Sequence, residues 1–492
     1  MFSRRVSLLL SVLFVLTLIS ASLFLSSCGE PSPGDSSSAI SDPGEPESNE
    51  SSVSEEIPYE PEQLNLGGVI FNFLVPGSGY SYYESFEIYS EERTEETIND
   101  AVYNRNQLVE SRLGCLIRAD KSNNVTNDLR LNFDAGLNTY DVYMPMINDA
   151  AKIAGDGYML DLHDFEQLNL AESWWDQKAN EGLEINGKLF FSTGDISILD
   201  NDCTMVMFFN KKLARDYGIG DVYKMVEEKT WTLDHVYEIS KGFSENKADE
   251  NIWDNHDNYG LHVAFNAPHS FYFGCGGTIT ETDAEGNLVI SITSKANQSI
   301  LSRVFEIAFK PDVLTNKNRG CGTFQDICPM FLNDQVMFTT FALIDIKGFR
   351  GAEGFDFGIL PYPLLDSEQE SYRCLVSTGL VPCVVIPANC KSPENTASVL
   401  DAMAFYSVET LTKAYYDKTL KGRDLVDEES ERMLDIIFSS RVYDLGYIYN
   451  FGGIGELIQN MNIASSSDFV SYYDRIEGKV MTDLFDAMEK FR

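Results

Sequence analysis

Basic residues are scarce in this chain. Its 492 residues include 37 Lys and Arg against 76 Asp and Glu, with five His, so the formal net charge at pH 7 is −39. Binding to nucleic acid or to an anionic lipid surface requires a basic patch that neutralises phosphates. The charge therefore argues against both of these partners, and it is compatible with a neutral or cationic small ligand.

Familiar catalytic and nucleotide-binding motifs are also missing. The sequence has no H-E-x-x-H, no G-x-S-x-G and no G-x-x-x-x-G-K-[ST], the motifs of zinc proteases, of α/β-hydrolases and of phosphate-binding loops. With only five His in the chain, metal-dependent hydrolysis and nucleotide chemistry are disfavoured. The sequence predicts a protein that is not an enzyme and that needs no cofactor and no metal.

Cysteines at metal-binding spacing are absent as well. Nine Cys occur in the chain, none of them in a C-x-x-C pair, which disfavours thiolate metal sites. Cys28 belongs to the amino-terminal segment. We expect the other eight to be buried free thiols rather than a disulfide framework, because a large body does not need covalent staples. If bridges form, the first candidates are Cys321 with Cys328 and Cys374 with Cys383.

The first 28 residues carry the features of an export signal. Arg4 and Arg5 precede an apolar run over residues 6–25, and the segment ends Leu25-Ser26-Ser27-Cys28. This ending resembles the lipobox of bacterial lipoproteins, in which the leader is removed before the Cys and lipid is attached to its sulfur. The resemblance implies a leader over residues 1–27, lipidation at Cys28 and a location at the outer face of the cell membrane. The alternatives are an ordinary signal peptide and a single transmembrane anchor.

A polar segment follows this leader. Residues 28–57 consist largely of Ser, Pro, Gly, Glu and Asp, a composition that cannot bury a core and stays solvated. We interpret the segment as a tether between the membrane and a globular body over residues 58–492. That body is too long for one core, so two or more lobes are expected. It contains no apolar run approaching the roughly 20 residues that span a bilayer.

Strand and helix patterns alternate along the body. Residues 68–75 form a short apolar run that ends at Pro76-Gly77, residues 97–113 have helical apolar spacing, and residues 140–146 form another short apolar run. A strand–helix–strand order predicts parallel strands with helices on the faces of the sheet. The pattern recurs at residues 204–217 and 355–361. Two doubly wound α/β lobes account for it.

Six short segments of the body resemble, in order, segments of the extracellular solute-binding proteins of family 1, the sugar-type lipoprotein receptors of ABC importers. They are residues 140–143 (YDVY), 187–191 (GKLFF), 207–218 (MFFNKKLARDYG), 230–234 (TWTLD), 357–363 (FGILPYP) and 388–394 (ANCKSPE). Each segment is short and degenerate, but together they extend over most of the body behind a lipobox.

The resemblance implies an α/β fold of the periplasmic-binding-protein type II, with two doubly wound lobes that have helices on both faces and close over a ligand at a hinge. By analogy, lobe one covers about residues 66–188 and 384–438, and lobe two about 189–383 and 439–492. It also implies a monomeric receptor that binds a small solute, with carbohydrate as the first expectation, and delivers it to the permease subunits of an ABC importer.

Candidate ligand residues follow from this fold, because loops at the carboxyl ends of strands face the cleft. Aromatic rings would stack on a sugar, and carboxylates would bond its hydroxyls. The candidates are Tyr80, Tyr82, Asp149, Trp174, Asp195, Asp200, His269, Tyr272, Phe341 and Tyr447. Phe341 lies where many relatives carry a Trp platform. For three kinds of candidate a structural role is the alternative: surface decoration for the tyrosines of the first loop, a packing anchor for Trp174 and a core position for His269.

Two other functions are compatible with the same sequence. A surface carbohydrate enzyme would need two carboxylates at a set separation across one cleft, and a chain this acidic always offers candidates. A binding protein could instead report its ligand to a membrane sensor rather than to an importer. That alternative differs from the first only in the docking partner.

Overall fold

The computed structural model describes residues 59–247, 252–315, 324–349, 352, 354–417 and 427–492. The predicted leader, Cys28 and the tether lie outside the described residues. Residues Tyr59–Arg492 form one compact unit through their contacts. None of the helices in the described ranges is long and apolar enough to cross a membrane.

Strands and helices alternate through this unit. The strands are β1 (Val69–Pro76), β2 (Cys115–Ser122), β3 (Val142–Tyr143), β4 (Met205–Asn210), β5 (Tyr259–Val263), β6 (Thr280–Thr282), β7 (Leu288–Ile290), β8 (Val313–Thr315), β9 (Val336–Ala342), β10 (Phe357–Leu360), β11 (Cys374–Leu375) and β12 (Arg441–Val442). The α-helices are α1 (Thr97–Leu113), α2 (Val125–Asp134), α3 (Ile147–Ala151), α4 (Gln177–Leu183), α5 (Leu199–Asp202), α6 (Lys211–Asp216), α7 (Val222–Glu227), α8 (Leu233–Lys241), α9 (Ala267–Gly274), α10 (Lys295–Ala308), α11 (Phe324–Leu332), α12 (Ile346–Phe349), α13 (Pro393–Ser407), α14 (Lys413–Tyr415), α15 (Glu428–Ser439), α16 (Leu445–Tyr449), α17 (Leu457–Ala464), α18 (Phe469–Tyr473) and α19 (Glu477–Lys490). A 3₁₀ turn covers Ser78–Tyr83, and a π-helical turn covers Val408–Thr412.

The first sheet, which defines lobe one, contains β2, β1 and β3 in that order, all parallel. Two later segments extend it. Val385 pairs antiparallel with Tyr143 of β3, and Ser192 pairs antiparallel with Val384. The extended order is therefore β2, β1, β3, the segment around residue 384 and the segment around residue 192.

The second sheet, which defines lobe two, has the order β8-β5-β9-β4-β10. Strands β8, β5 and β9 are parallel, and β4 runs antiparallel to both of its neighbours, β9 and β10. Each sheet thus has one reversed strand in the fourth position, and in each sheet that strand follows directly on a crossing from the other lobe. The two lobes share one topology, and the predicted two-lobed α/β fold of type II is confirmed.

Burial explains why β4 and β9 form the middle of the second sheet. Every residue of both strands is buried, and their sequences, MVMFFN and VMFTTFA, are nearly continuous apolar runs, as expected for strands covered on both faces.

The ends of helix α1 are set by residues next to it in the sequence. Glu96 accepts a hydrogen bond from the Asn99 backbone N–H at the start, and Gly114 ends the helix at φ 65°, a left-handed conformation that suits glycine.

The chain crosses between the lobes several times within the described ranges, and its last helix, α19, returns to lobe one, where Lys490 Nζ lies 2.7 Å from Asp156 Oδ1. The first crossing runs from Ser192 of the first sheet to β4, and the second runs from β11 to the segment that pairs with Tyr143. The third lies between α14, which packs on α1, and α15, which packs on β10 and α7. The sequence-based boundary near residue 438 had assigned α15 to lobe one, whereas its contacts are with lobe two.

The cysteines of the described chain are free thiols. Cys115, Cys203, Cys275, Cys328, Cys374, Cys383 and Cys390 form no disulfide among themselves, and all but Cys390 are buried. The alternative bridge between Cys374 and Cys383 is therefore not formed. Cys321, the other proposed partner, lies outside the described residues.

Candidate functional site

The carboxyl ends of the two sheets lie close together where the lobes meet, and this junction is called the cleft below. In lobe one, β1 leads into the turn Ser78–Tyr83, and in lobe two β9 leads into the turn Leu343–Asp345. Tyr83 brings the two turns together. Burial raises the pKa of the Tyr83 hydroxyl, and the nearby Cys203, Asp345 and Asp202 raise it further. The loop after the first strand of lobe one is therefore close to the acidic end of lobe two.

Three elements that pack together where the lobes meet carry buried polar atoms that have no partner within the described ranges. Asn148 Oδ1, Thr378 Oγ1 and the Tyr449 hydroxyl are buried and have no hydrogen-bond partner within the described ranges. They lie on α3, on the turn Thr378–Leu380 and on α16, and α3 contacts both of the other elements. A buried polar group without a partner costs about 1–3 kcal/mol. These atoms are closed to solvent in this arrangement, so a polar ligand would recover that cost only after the surrounding contacts open.

Tyr447 forms a half-buried aromatic surface on α16, one of these three elements. Its ring centroid lies 5.5 Å from that of His269 and 6.0 Å from that of Phe273. His269 Nε2 is 3.0 Å from the Gly455 carbonyl oxygen, and burial lowers the pKa of His269 to about 4. The imidazole is therefore neutral at pH 7 and supports Tyr447 from behind, which is the structural alternative considered for His269.

Helix α16 holds Tyr447 in place through its cap. The Asp444 carboxylate accepts hydrogen bonds from the backbone N–H groups of Ile279, at 2.9 Å, and Tyr447, at 3.0 Å. The contact to Ile279 fastens the helix to lobe two, while the helix also packs on α3 of lobe one. Tyr447 thus lies where both lobes meet.

The wall on lobe one contains Tyr80 and Asp149. Tyr80 is half-buried, and burial followed by the charges of Asp149 and Asp128 raises the pKa of its hydroxyl. Asp149 forms an ion pair with Lys152, with 2.7 Å between Oδ1 and Nζ. The side chain of Tyr82 lies outside the described part of the chain. Sequence analysis did not single out Tyr83 or Asn148, although both adjoin residues that it did select.

Three of the predicted aromatic residues are packed into the core. Trp174 is 5% exposed, and its indole N–H donates to Asp401 Oδ1 at 2.8 Å. Tyr272 is fully buried and donates to the Thr278 carbonyl oxygen at 2.8 Å. Phe341 is 8% exposed and packs edge-on against Phe324. No open ring face remains for a sugar in this arrangement, so we leave these three residues out of the candidate site.

Asp195 and Asp200 lie in the first crossing rather than on a cleft wall. Asp195 accepts from the Thr412 hydroxyl at 2.9 Å. Asp200 is buried, and its Oδ2 lies 3.1 Å from Nη1 of Arg441, which also contacts Asp176 at 3.0 Å. Burial raises the pKa of Asp195 to about 6 and also that of Asp200, whose pairing with Arg441 acts in the opposite direction. These carboxylates fasten the hinge.

Several solved structures resemble this chain in fold. A cyclo/maltodextrin-binding protein complexed with maltotetraose matches with a TM-score of 0.54 and 15% identity over 86% of this chain and 96% of that one. RafE from Streptococcus pneumoniae matches at 0.55 and 13%, over 87% and 100%. The maltose-binding protein MalE from Listeria monocytogenes, in complex with maltose, matches at 0.52 and 14%, over 86% and 96%.

The chain resembles known proteins in structure but not in sequence. No protein-family model and no curated protein sequence matches the chain. At identities of 13–15%, the solved structures establish the fold of a two-lobed solute-binding protein. The ligand has to be argued from the residues of this chain.

Proposed function

We propose that this protein is an extracytoplasmic receptor that binds a small neutral carbohydrate between its lobes and delivers it to an ABC importer. The observation that carries the proposal is the junction of the lobes, where Asn148, Thr378 and Tyr449 hold buried polar atoms with no partner in the described chain, which opening of the lobes would expose to a ligand. Two solved structures of similar fold are complexes, one with maltotetraose and one with maltose. Their ligands set the first class of compounds to test.

Carbohydrate suits the chemistry of this cleft. A sugar has apolar C–H faces for aromatic rings and hydroxyls that both donate and accept hydrogen bonds. Tyr80, Tyr83 and Tyr447 are half-buried around the cleft, and one amide oxygen and two hydroxyls are buried without partners among the described residues where the lobes meet. Once opening of the lobes exposes these atoms, hydroxyl groups of a sugar can donate to Asn148 Oδ1 and exchange hydrogen bonds with Thr378.

Binding without catalysis is the proposed outcome. Hydrolysis of a glycoside requires one carboxylic acid and one free carboxylate on opposite sides of the bond. Two acidic residues near the cleft are engaged by cations, since Asp149 pairs with Lys152 and Asp202 pairs with Lys347 at 2.9 Å. The Asp345 carboxylate accepts a hydrogen bond from the Ala342 backbone N–H at 3.2 Å. These pairs support a receptor rather than a glycosidase.

Anchoring and delivery complete the proposal. Cys28 would carry lipid at the outer face of the membrane, since two acyl chains give stable attachment where one does not. Residues 29–57 would act as a solvated tether, and the permease subunits of an importer would be the protein partner. A pulse with labelled fatty acid tests the anchor, because Cys28→Ala abolishes incorporation if Cys28 is the lipidated residue.

Thermal unfolding with added sugars tests the receptor function. The full chain, purified in detergent, is heated with maltose, maltotetraose and a panel of neutral mono- and oligosaccharides and polyols. A ligand present at 100 times its Kd adds about 2.7 kcal/mol to the free energy of unfolding, which raises the melting temperature by several degrees. A shift with one class of sugar is the expected result. No shift with any compound of the panel would contradict a carbohydrate ligand.

A further inference from the structure

The first crossing between the lobes is rich in carboxylates. Their hydrogen-bond and ion-pair partners come from both lobes. Asp202, at its end, is buried and accepts from the Tyr415 hydroxyl at 2.9 Å. Its other oxygen lies 2.9 Å from Lys347 Nζ. Tyr415 belongs to α14, which packs on α1 of lobe one, and Lys347 belongs to α12, whose Phe349 packs on Phe208 of lobe two. One carboxylate thus connects the two lobes.

A second group of carboxylates shares a single cation. Arg441 Nη1 contacts Asp176 Oδ2 at 3.0 Å and Asp200 Oδ2 at 3.1 Å, and its Nη2 donates to Asn201 Oδ1. Asp195 lies close enough for the charge of Arg441 to affect it. Three carboxylates, Asp176, Asp195 and Asp200, therefore lie near the one guanidinium of Arg441. If all three were ionised, the negative charges of this buried cluster would outnumber its positive charge.

Titratable and charged residues surround the crossing on every side. From lobe one come Glu87, whose Oε1 accepts from Ser197 at 3.2 Å, and Arg105, whose Nη1 donates to the Ile196 carbonyl oxygen. Asp345 adjoins Asp202 and Lys347. Further titratable neighbours within the described ranges are Tyr83, Tyr415, Tyr416, Tyr443 and Cys203.

We propose that the first crossing is a proton-responsive hinge: protonation of Asp195 and Asp200 favours the lobe arrangement described here, and deprotonation favours an arrangement in which water reaches these carboxylates. Rotation of the lobes must change the contacts of Asp202, because its two partners, Tyr415 and Lys347, lie on opposite lobes. Movement that opens the crossing hydrates its carboxylates. This inference requires the hinge but not the ligand.

Linkage fixes the direction of the effect. Burial holds the pKa of Asp195 and of Asp345 near 6, and it also raises that of Asp200. Hydration of a carboxylate returns its pKa towards the ordinary value near 4. The arrangement with the higher pKa binds protons more tightly, so a fall in pH from 7.5 to 5 increases its population. Arg441 and Tyr443 also line a groove of about 740 Å³ between α4 and α7, which brings solvent to the edge of this group.

Resonance energy transfer between the lobes tests this hinge. Fluorescent non-natural amino acids replace Leu131 on α2 of lobe one and Tyr217 beside α6 of lobe two, which are 58% and 52% exposed. The full chain is titrated from pH 7.5 to 5 without ligand. We expect the distance distribution to shift with a midpoint between these values. Each proton taken up changes the ratio of the two arrangements by at most about tenfold per pH unit.

Asparagine variants separate the hinge from other buried acids. Asp195→Asn keeps an acceptor for Thr412, and Asp200→Asn leaves Arg441 paired with Asp176, so both are expected to fold and to flatten the pH response. Asp401→Asn is the matched control, because Asp401 is a buried carboxylate with a raised pKa in the core of lobe one. It should leave the response intact. A distance that is independent of pH in the unmodified chain, or an unchanged response in both hinge variants, would overturn the proposal.

Discussion

At the scale of single residues, two asparagines of this protein differ in what their amides do. Asn210 accepts from the Leu213 backbone N–H at 2.9 Å and donates to Asp334 at 2.7 Å. Asn148 Oδ1 is buried without a partner in the described ranges. A paired amide stabilises the fold, whereas an unpaired one contributes only when something binds to it.

Replacement of these two asparagines by alanine should therefore have opposite effects. Asn148→Ala removes no hydrogen bond of the unliganded protein, so its free energy of unfolding should change by less than about 1 kcal/mol. Sugar affinity should fall about tenfold, which corresponds to about 1.4 kcal/mol. Asn210→Ala removes a helix cap and should lower the free energy of unfolding by about 0.5–2 kcal/mol while affinity stays unchanged. Denaturant unfolding and binding calorimetry on both variants check this.

Asp195 makes the stability of the protein depend on pH. Its pKa in the folded protein is raised to about 6 by burial, above its value in the unfolded chain, so the folded state binds the proton more tightly. Stability from this group is present below the unfolded pKa and is lost as pH rises through about 6, by at most about 1.4 kcal/mol per pH unit. Asp195→Asn should flatten that part of the profile in urea unfolding between pH 5 and 7.5. A profile identical to that of the unmodified chain would contradict the burial argument.

Several candidate residues could not be placed from sequence alone, for a physical reason. An aromatic residue at the end of a helix or strand can pack into the core or line a cleft. Which of the two it does depends on the residues that it contacts in the folded chain. Trp174 finds Asp401, 227 positions away along the chain, and Tyr272 finds the Thr278 carbonyl. Tyr80 and Tyr447 stay predictions: Tyr80 came from the loop after the first strand, and Tyr447 came from a late stretch rich in Tyr and Gly. Asn148 became visible only through the absence of a partner.

At the scale of elements, the packing of α4 on β12 depends on one glycine. A Cβ atom at Gly182 would lie 2.5 Å from the Tyr443 carbonyl oxygen and 2.7 Å from the Tyr443 Cβ. The helix belongs to the lobe-one side of the hinge, and β12 carries Arg441. The close approach lets Arg441 reach Asp176, which caps α4.

Gly182→Ala should consequently destabilise the protein by about 1–3 kcal/mol, the usual cost of forcing extra volume into a packed contact. Gly478→Ala is the matched control, because Gly478 lies in α19 with open space around its Cα. There the helix propensity of Ala should leave stability unchanged or raise it by up to about 1 kcal/mol. Thermal unfolding of both variants separates the two cases, and equal effects would contradict the contact at Tyr443.

Local patterns predicted several elements well and others poorly. The predicted helix over residues 97–113 coincides with α1, and the strand predicted at 68–75 is β1 shifted by one residue. The strand predicted at 140–146 is reduced to Val142–Tyr143, since Pro145 has no N–H to donate to a ladder. The lobe of α15 could not be derived from local patterns, because it is decided by contacts with β10 and α7.

At the scale of the whole molecule, two sheets of identical topology have their carboxyl ends towards each other, and several crossings join them in the described ranges. This arrangement places the candidate ligand residues beside the carboxylates of the proposed hinge. Tyr83 lies near Asp202 and Asp345, and Asp202 is itself bonded to both lobes. A ligand that contacts Tyr83 therefore acts on the same carboxylates that connect the lobes, which joins binding to closure.

Binding calorimetry of the full chain with maltose, maltotetraose and the neutral sugars of the panel tests the central claim most directly. The account predicts saturable binding of one sugar class with one molecule per chain and a negative change in heat capacity, because closure buries apolar ring surface. It also predicts weaker binding by Asn148→Ala and unchanged binding by Asn210→Ala. No saturable heat with any of these sugars, from protein shown to be folded, would contradict a carbohydrate receptor.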